Sequence, residues 1–280
     1  MNPRRRRLVN RLMSTLSAVA AVATILPLLL IFAFLLYQGA SAINIDFFTR
    51  LPKPVGEVGG GMANAIVGSI ILVGLAAVLG VPLGVLTGVY LAESRDSRLP
   101  WTARFLADVL NGVPSIVIGL FVYALLVLPM RRFSALAGAA ALAMIMLPIV
   151  ARTSEEMVRL VPASLREAAL ALGLPQWKVV LRVVLPTARA GIVTGVMVAL
   201  ARVAGETAPL LFTAFGNRFW HQGMDQPIAA LPLQIFAYAI APYDDWHRQA
   251  WAGALVLIVL VFLVSLTARL ATRRRVGAMR

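Results

Sequence analysis

The sequence predicts an all-α membrane protein that crosses the bilayer six times. Of its 280 residues, 60% are hydrophobic and only 14% are charged. Soluble domains carry about 25% charged residues, and the mean hydropathy of +0.85 is far on the apolar side. A spanning helix needs about 20 mostly apolar residues, and six segments of the chain are long enough.

Five of these segments contain no charged residue. They are residues 12–45, 62–92, 109–130, 133–151 and 250–268. The sixth, residues 191–215, is apolar except for Arg202 and Glu206. Six spans place both ends of the chain on the same side of the membrane.

The distribution of Lys and Arg predicts which side that is. Cytoplasmic loops retain these residues. With the N-terminus inside, 19 of the 26 Lys and Arg residues lie in cytoplasmic segments, six lie outside and Arg202 lies within a span. We therefore expect a multi-pass membrane protein with both termini in the cytoplasm. The pair Arg131-Arg132 is a local exception, in a short external turn.

The first span is predicted to remain as an anchor. It follows the basic cluster Arg4 to Arg7, and Ala40-Ser41-Ala42 resembles a cleavage site. However, the apolar core of a signal peptide has only about 7–15 residues. An irregular external stretch with Gly59-Gly60-Gly61 follows. We therefore divide the chain into a peripheral helix with its loop, 1–61, and a core, 62–280.

The third span contains a predicted break. Asn111-Gly112-Val113-Pro114-Ser115 places a proline where it removes a helix hydrogen bond and crowds the preceding turn. Membrane helices tolerate such breaks where neighbours or a cavity satisfy the freed backbone groups. Asn111, Pro114 and Ser115 are therefore candidates for lining a polar path, although proline kinks also occur in purely structural bundles.

The polar stretch 152–190 between two spans has the pattern of a helix, a turn and a second helix. Ser164 and Glu167 have the spacing of a capping box, Gly173 suits a left-handed helix end, and Pro175 suits the start of the next helix. A generic amphipathic connector would share these features. Such a connector does not account for Leu185-Pro186 at their distance along the chain from Gly173.

Arg202 and Glu206 are the residues that most need an explanation. A charge near the bilayer centre costs about 2.5–3.5 kcal/mol on insertion scales. The i,i+4 spacing predicts that both side chains lie on one helix face and pair. The arginine fork suits an oxyanion, which it can bind through two parallel N–H donors. Thr207 can add a hydroxyl donor. The alternative is a buried ion pair that only fixes helix packing.

Several other activities are disfavoured by the sequence. A Walker A loop ends in Lys followed by Ser or Thr, but the only lysines, Lys53 and Lys178, precede Pro54 and Val179. There are no cysteines, and His221 and His247 lack the close spacing of a zinc motif. The net charge of +14 is spread over loops beside the spans, which indicates membrane topology and lipid headgroups rather than nucleic acid.

Two sets of motifs resemble a known family. Glu167-Ala168-Ala169, then Gly173, then Val183-x-Leu185-Pro186, resembles the EAA loop of bacterial ABC-importer permeases, with Val183 in place of the usual Ile. Residues 111–121 and 201–210 resemble the phosphate-specific permeases of the Pst system, the PstA branch more than PstC. The resemblance extends over most of residues 62–268.

This resemblance implies a type I ABC importer fold, also called MetI-like, in a subunit of the bacterial inner membrane that imports inorganic phosphate. It implies a heterodimer with PstC, two copies of the ATPase PstB and an external phosphate-binding protein, PstS. ATP and Mg would be used by the ATPase, and this chain would bind no cofactor. Glu167, Ala168, Ala169, Gly173, Leu185 and Pro186 would form the coupling loop that docks into the ATPase.

Other assignments stay open at this point. They are a permease for sulfate or molybdate, the sister subunit PstC, a non-transporting membrane scaffold, and an intramembrane enzyme. The last is disfavoured because the sequence has no convincing nucleophile and base.

Overall fold

The computed structural model describes residues 3–94 and 98–277. Five helices in this part of the chain are long and apolar enough to span a membrane, and there are six candidate spans when one bent pair of helices is counted as a single span. The helices are α1 (Pro3–Gly39), α2 (Ile45–Thr49), α3 (Ala63–Glu93), α4 (Arg98–Gly112), α5 (Ser115–Met130), α6 (Ala135–Arg159), α7 (Ala163–Ala171), α8 (Gln176–Ala204), α9 (Ala208–Thr213), α10 (Leu231–Ala239) and α11 (Asp244–Gly277).

Two predicted spans have the wrong boundaries. The third was expected at 109–130, but it is the bent pair of α4 and α5, which begins at Arg98 and turns by 105° at the predicted break. The span expected at 191–215 is α8, which begins at Gln176 and ends at Ala204. Its early turns carry charged residues that a hydropathy criterion rejects, and Gly205 ends the helix before the apolar run is over.

Helix α6 forms the centre of the core and packs along α3. The contact is close because α3 presents Gly80, Gly84 and Gly88 to α6. A Cβ atom at Gly84 would lie 2.8 Å from Val150 Cβ, and one at Gly88 would lie 2.6 Å from Ser154 Cβ. These glycines therefore set the distance between the two helices.

Replacing Gly88 tests this packing. We expect Gly88→Ala to lower the melting temperature of the detergent-purified protein, because overpacking a core costs about 1–3 kcal/mol. Gly74→Ala, in the same helix but with open space around the new methyl group, should leave it unchanged or raise it slightly. Equal melting temperatures for the two variants would contradict the close packing.

Wide turns accommodate proline inside two spans. A π-turn at Val180–Val184 precedes Leu185-Pro186, and another at Tyr123–Val127 precedes Leu128-Pro129. In each, the backbone N–H of the leucine reaches a carbonyl five residues back. A π-turn widens the helix locally and relieves the clash that a proline ring causes. Pro186 therefore lies inside a continuous helix.

The first helix contacts the rest of the chain mainly near its end. Phe34 packs edge-on against Trp251 with ring centroids 5.2 Å apart, and Gly39 lies against the Trp251 backbone. Most other side chains of α1 are exposed. The division at residue 61 stays a prediction.

Candidate functional site

Arg202 and Glu206 meet at the end of α8. Arg202 Nε lies 3.7 Å from Glu206 Oε1. Arg202 is in the last turn of the helix, but Glu206 lies beyond its end, so the prediction of one shared helix face is wrong. The reason is Gly205, whose N–H bonds back to the Arg202 carbonyl and closes the helix. The arginine side chain is 55% exposed in the isolated chain, whereas that of Glu206 is only 16% exposed.

A short helix, α9, continues after this break. Thr207 precedes α9, and its side chain makes no capping hydrogen bond. Pro209 packs against Gly119 of α5, where a Cβ atom would lie 2.6 Å from Pro209 Cα. The break after α8 is therefore held against the first turns of α5.

The break in the third span lies near the same region. Pro114 is the residue before α5, Ser115 begins that helix, and Asn111 lies exposed in the last turn of α4. The two breaks share one hydrophobic core, which contains Ile118 and Val203. Among the described residues, no hydrogen bond or ion pair joins Asn111 or Ser115 to Arg202 or Glu206. The structure thus brings the two breaks to one core without direct polar contact.

The loop 152–190 contains a helix, a tight turn and a second helix, as predicted. Gly173 has φ of +80°. The Gly173 N–H bonds to the Leu170 carbonyl, and the Leu174 N–H bonds to the Ala169 carbonyl. This pair of bonds is a Schellman motif, which satisfies the last carbonyls of a helix. The predicted left-handed position is confirmed.

The predicted capping box is wrong. Pro162, not Ser164, precedes α7, and no side chain caps the helix. Pro162, with φ of −55° and an extended ψ of 138°, is the last residue before the helix, which therefore starts at Ala163, two residues earlier than the Ser164 pattern suggested. Ser164 and Glu167 are both exposed.

The loop has one buried face and one exposed apolar face. Ala169 packs with Val158, Val179 and Val184 beneath α7, while Glu167 and Ala168 are exposed. Leu172 and Trp177 are 83% and 61% exposed. Apolar side chains presented beside the turn are typical of a surface that a partner covers.

Arg166 fixes α7 to the membrane helices. Its guanidinium forms a close ion pair with Glu93 at the end of α3, and Nη2 donates to the Val158 carbonyl at 2.9 Å. The position of the loop is therefore set by the ends of α3 and α6.

A buried charge cluster was missed by the sequence analysis. Glu155 of α6 is 1% exposed and contacts three arginines: Arg104 of α4, and Arg152 and Arg159 of its own helix. The i,i+3 and i,i+4 spacing was a signal for the two local pairs. The contact with Arg104, 51 residues away, has no local signal.

Comparisons with known proteins identify relatives over nearly the whole chain. The family model for binding-protein-dependent transport system inner membrane components matches residues 80–277. The chain is 50% identical over 268 residues to the phosphate transport system permease protein PstA of Xylella fastidiosa, covering 95% of this chain and 93% of the relative. It is 45% identical over 265 residues to PstA of Yersinia pestis, covering 94% and 90%.

Solved structures share the fold at low sequence identity. A chain of the inward-facing MetNI methionine ABC transporter superposes with a TM-score of 0.63 at 20% identity, covering 76% of this chain and 96% of that one. A chain of a bacterial alginate ABC transporter gives 0.68 at 13% identity and covers 96% of both. The predicted fold class, a type I ABC importer permease, is confirmed.

Proposed function

Since this chain belongs to the family of binding-protein-dependent inner-membrane transport components, and within it to the PstA phosphate permeases, we propose that it forms part of the membrane path for inorganic phosphate. The observation that carries this is the 50% identity to a phosphate permease over 95% of the chain. The chain spans the membrane and alternates access, while a partner ATPase uses ATP and Mg.

Arg202 is the proposed phosphate-binding residue. Its guanidinium stays charged at physiological pH and presents paired donors to an oxyanion. Glu206, at 3.7 Å, orients the fork and offsets its charge when no anion is bound. Phosphate competes with Glu206 for the same donors, so binding is transient. Thr207, Asn111, Pro114 and Ser115 are proposed to line the same path. The side chains of Thr207, Asn111 and Ser115 offer polar groups.

Within the loop 152–190, the proposed docking surface for the ATPase is the exposed face of α7, the turn at Gly173 and the first turns of α8. Its exposed residues Glu167, Leu172 and Trp177 lie near the turn at Gly173, and Leu185-Pro186 follow the π-turn inside α8. The proposed partners are the sister permease PstC, two copies of the ATPase PstB and the phosphate-binding protein PstS.

Transport by the four components in vesicles tests this function. We expect ATP-dependent uptake of labelled phosphate that requires this chain and is not suppressed by an excess of sulfate or molybdate. Uptake of sulfate or molybdate in preference to phosphate would contradict the substrate assignment, and no uptake of any oxyanion would favour a scaffold.

Topology provides a separate test. We expect a reporter fused after Arg280 to be cytoplasmic and a cysteine introduced at Gly223 to react with an impermeant maleimide in intact cells. The chain has no native cysteine, so any labelling comes from the introduced residue. A cysteine at Gly173 is the matched internal control and should react only after the cells are permeabilised. The reverse pattern would contradict the proposed orientation.

A further inference from the structure

Glu155 links three membrane helices through one arginine. Arg104 Nε of α4 lies 2.6 Å from Glu155 Oε1 in α6. Arg104 Nη2 also donates to the Leu91 carbonyl in the last turns of α3. One guanidinium therefore fixes the middle of α4 to the ends of both α3 and α6.

The same carboxylate also makes contacts within its own helix. Arg159 Nη2 lies 2.7 Å from Oε1, and Arg152 Nη1 lies 2.7 Å from Oε2. Arg152 Nε continues to Asp108 of α4 at 3.1 Å. Arg104 and Arg159 thus share one oxygen atom of Glu155. Of these two arginines, only Arg104 joins Glu155 to another helix.

A buried carboxylate with three arginine partners is poor evidence for a stabilising role. Buried ion pairs seldom exceed the stability of well-packed apolar residues of the same volume. They do fix one relative arrangement of the elements that carry them. The contacts of Arg104 fix the arrangement of α4 relative to α3 and α6.

Helices α3, α6 and α4 lie between α7 and the bend that precedes α5. The last turn of α6 leads through Leu160 to Pro162 into α7, whose Arg166 bonds to Glu93 and to the Val158 carbonyl. At its other end, α4 leads into the 105° bend at Val113-Pro114 and then into α5. Polar contacts therefore join α7 to the ends of α3 and α6, and Arg104 joins those same ends to α4, the helix that leads to the bend.

We propose that the Arg104–Glu155 contact is the positioning contact that transmits movement of α7 to the bend between α4 and α5. The proposal rests on the proposed function, in which α7 docks into the ATPase and the bend borders the phosphate path. When the ATPase moves α7, the ends of α3 and α6 move with it, and Arg104 carries α4 along. Without Arg104, α4 keeps only the more exposed Arg152–Asp108 pair to α6, and the bend follows the movement of α7 less closely.

Two arginine variants at the same carboxylate oxygen test this. In vesicles with all four components, we expect Arg104→Gln to reduce phosphate taken up per ATP hydrolysed by on the order of tenfold, with ATP hydrolysis retained, since a coupling of 1–3 kcal/mol corresponds to roughly 5–150-fold. Arg159→Gln removes the same charge from the same oxygen but no contact between helices. Arg159→Gln should leave the ratio of phosphate taken up to ATP hydrolysed near that of the wild type.

A milder variant covers the case in which Arg104→Gln fails to assemble. Arg104→Lys keeps the charge, but its single ammonium group cannot bond to Glu155 and the Leu91 carbonyl in the arginine geometry, so the ratio should fall partially. Equal ratios for Arg104→Gln and Arg159→Gln, or a wild-type ratio for Arg104→Lys when Arg104→Gln does not assemble, would overturn the proposal. Absence of uptake by the wild-type complex would instead overturn the proposed function.

Discussion

Arg202→Gln is expected to abolish phosphate uptake or reduce it by several orders of magnitude. Glutamine keeps much of the length and polarity of arginine but removes the positive charge and the paired donors that bind an oxyanion. Hydrogen bonds to charged groups are worth about 1.5–3 kcal/mol each, so losing two of them in a low-dielectric path has a large effect. Uptake of labelled phosphate, normalised to assembled complex, measures it.

Two further variants separate charge from geometry at this position. Arg202→Lys should remain impaired, because an ammonium group cannot reproduce the bidentate fork. Glu206→Gln should be milder if the carboxylate only orients the guanidinium, and it should slow phosphate release because the positive charge is less balanced. Full activity of Arg202→Lys would show that a point charge is enough and would contradict bidentate binding.

Gly173→Asp is expected to uncouple ATP hydrolysis from uptake without preventing membrane insertion. Within the chain the substitution costs only backbone strain, about 1–2 kcal/mol for an L-residue in the left-handed region, because a Cβ atom there meets nothing within 4 Å. Any larger effect must therefore come from a partner that approaches the turn. Parallel assays of phosphate uptake and phosphate-stimulated ATP hydrolysis measure the coupling.

Gly56 offers a matched control for this substitution. It also has a left-handed φ, +92°, with open space around it, but it lies in the predicted external loop. Gly56→Asp should insert, assemble and transport normally. Normal coupling in Gly173→Asp, or the same defect in both variants, would contradict the assignment of the loop as the ATPase-docking surface.

The sequence predicted the features that depend on local chemistry. Apolar runs predicted six spans, because the bilayer requires about 20 such residues for each helix. Gly173 was predicted at a left-handed helix end because few other residues adopt that conformation without cost. The pairing of Arg202 with Glu206 also followed from their spacing, although the helix ends between them.

The features it missed depend on tertiary packing. The spacing to Arg152 and Arg159 does not distinguish Glu155, which is buried, from Glu156, which is exposed, since the packing of α3 and α4 against α6 makes the difference. The end of α8 was predicted too late because hydropathy does not detect a glycine that closes a helix within an apolar run. The start of α7 was misplaced because two capping signals, Pro162 and Ser164, compete within three residues.

The central claim is that phosphate passes the bilayer by way of the pair at the end of α8, and the double variant Arg202→Met/Glu206→Leu tests it most directly. Replacing both residues with apolar ones of similar size leaves no unpaired charge, so a pair that only packs helices should be dispensable. In vesicles containing the four components, with insertion and assembly verified, we expect ATP-dependent uptake of labelled phosphate to be lost. Uptake at the wild-type rate would contradict the account.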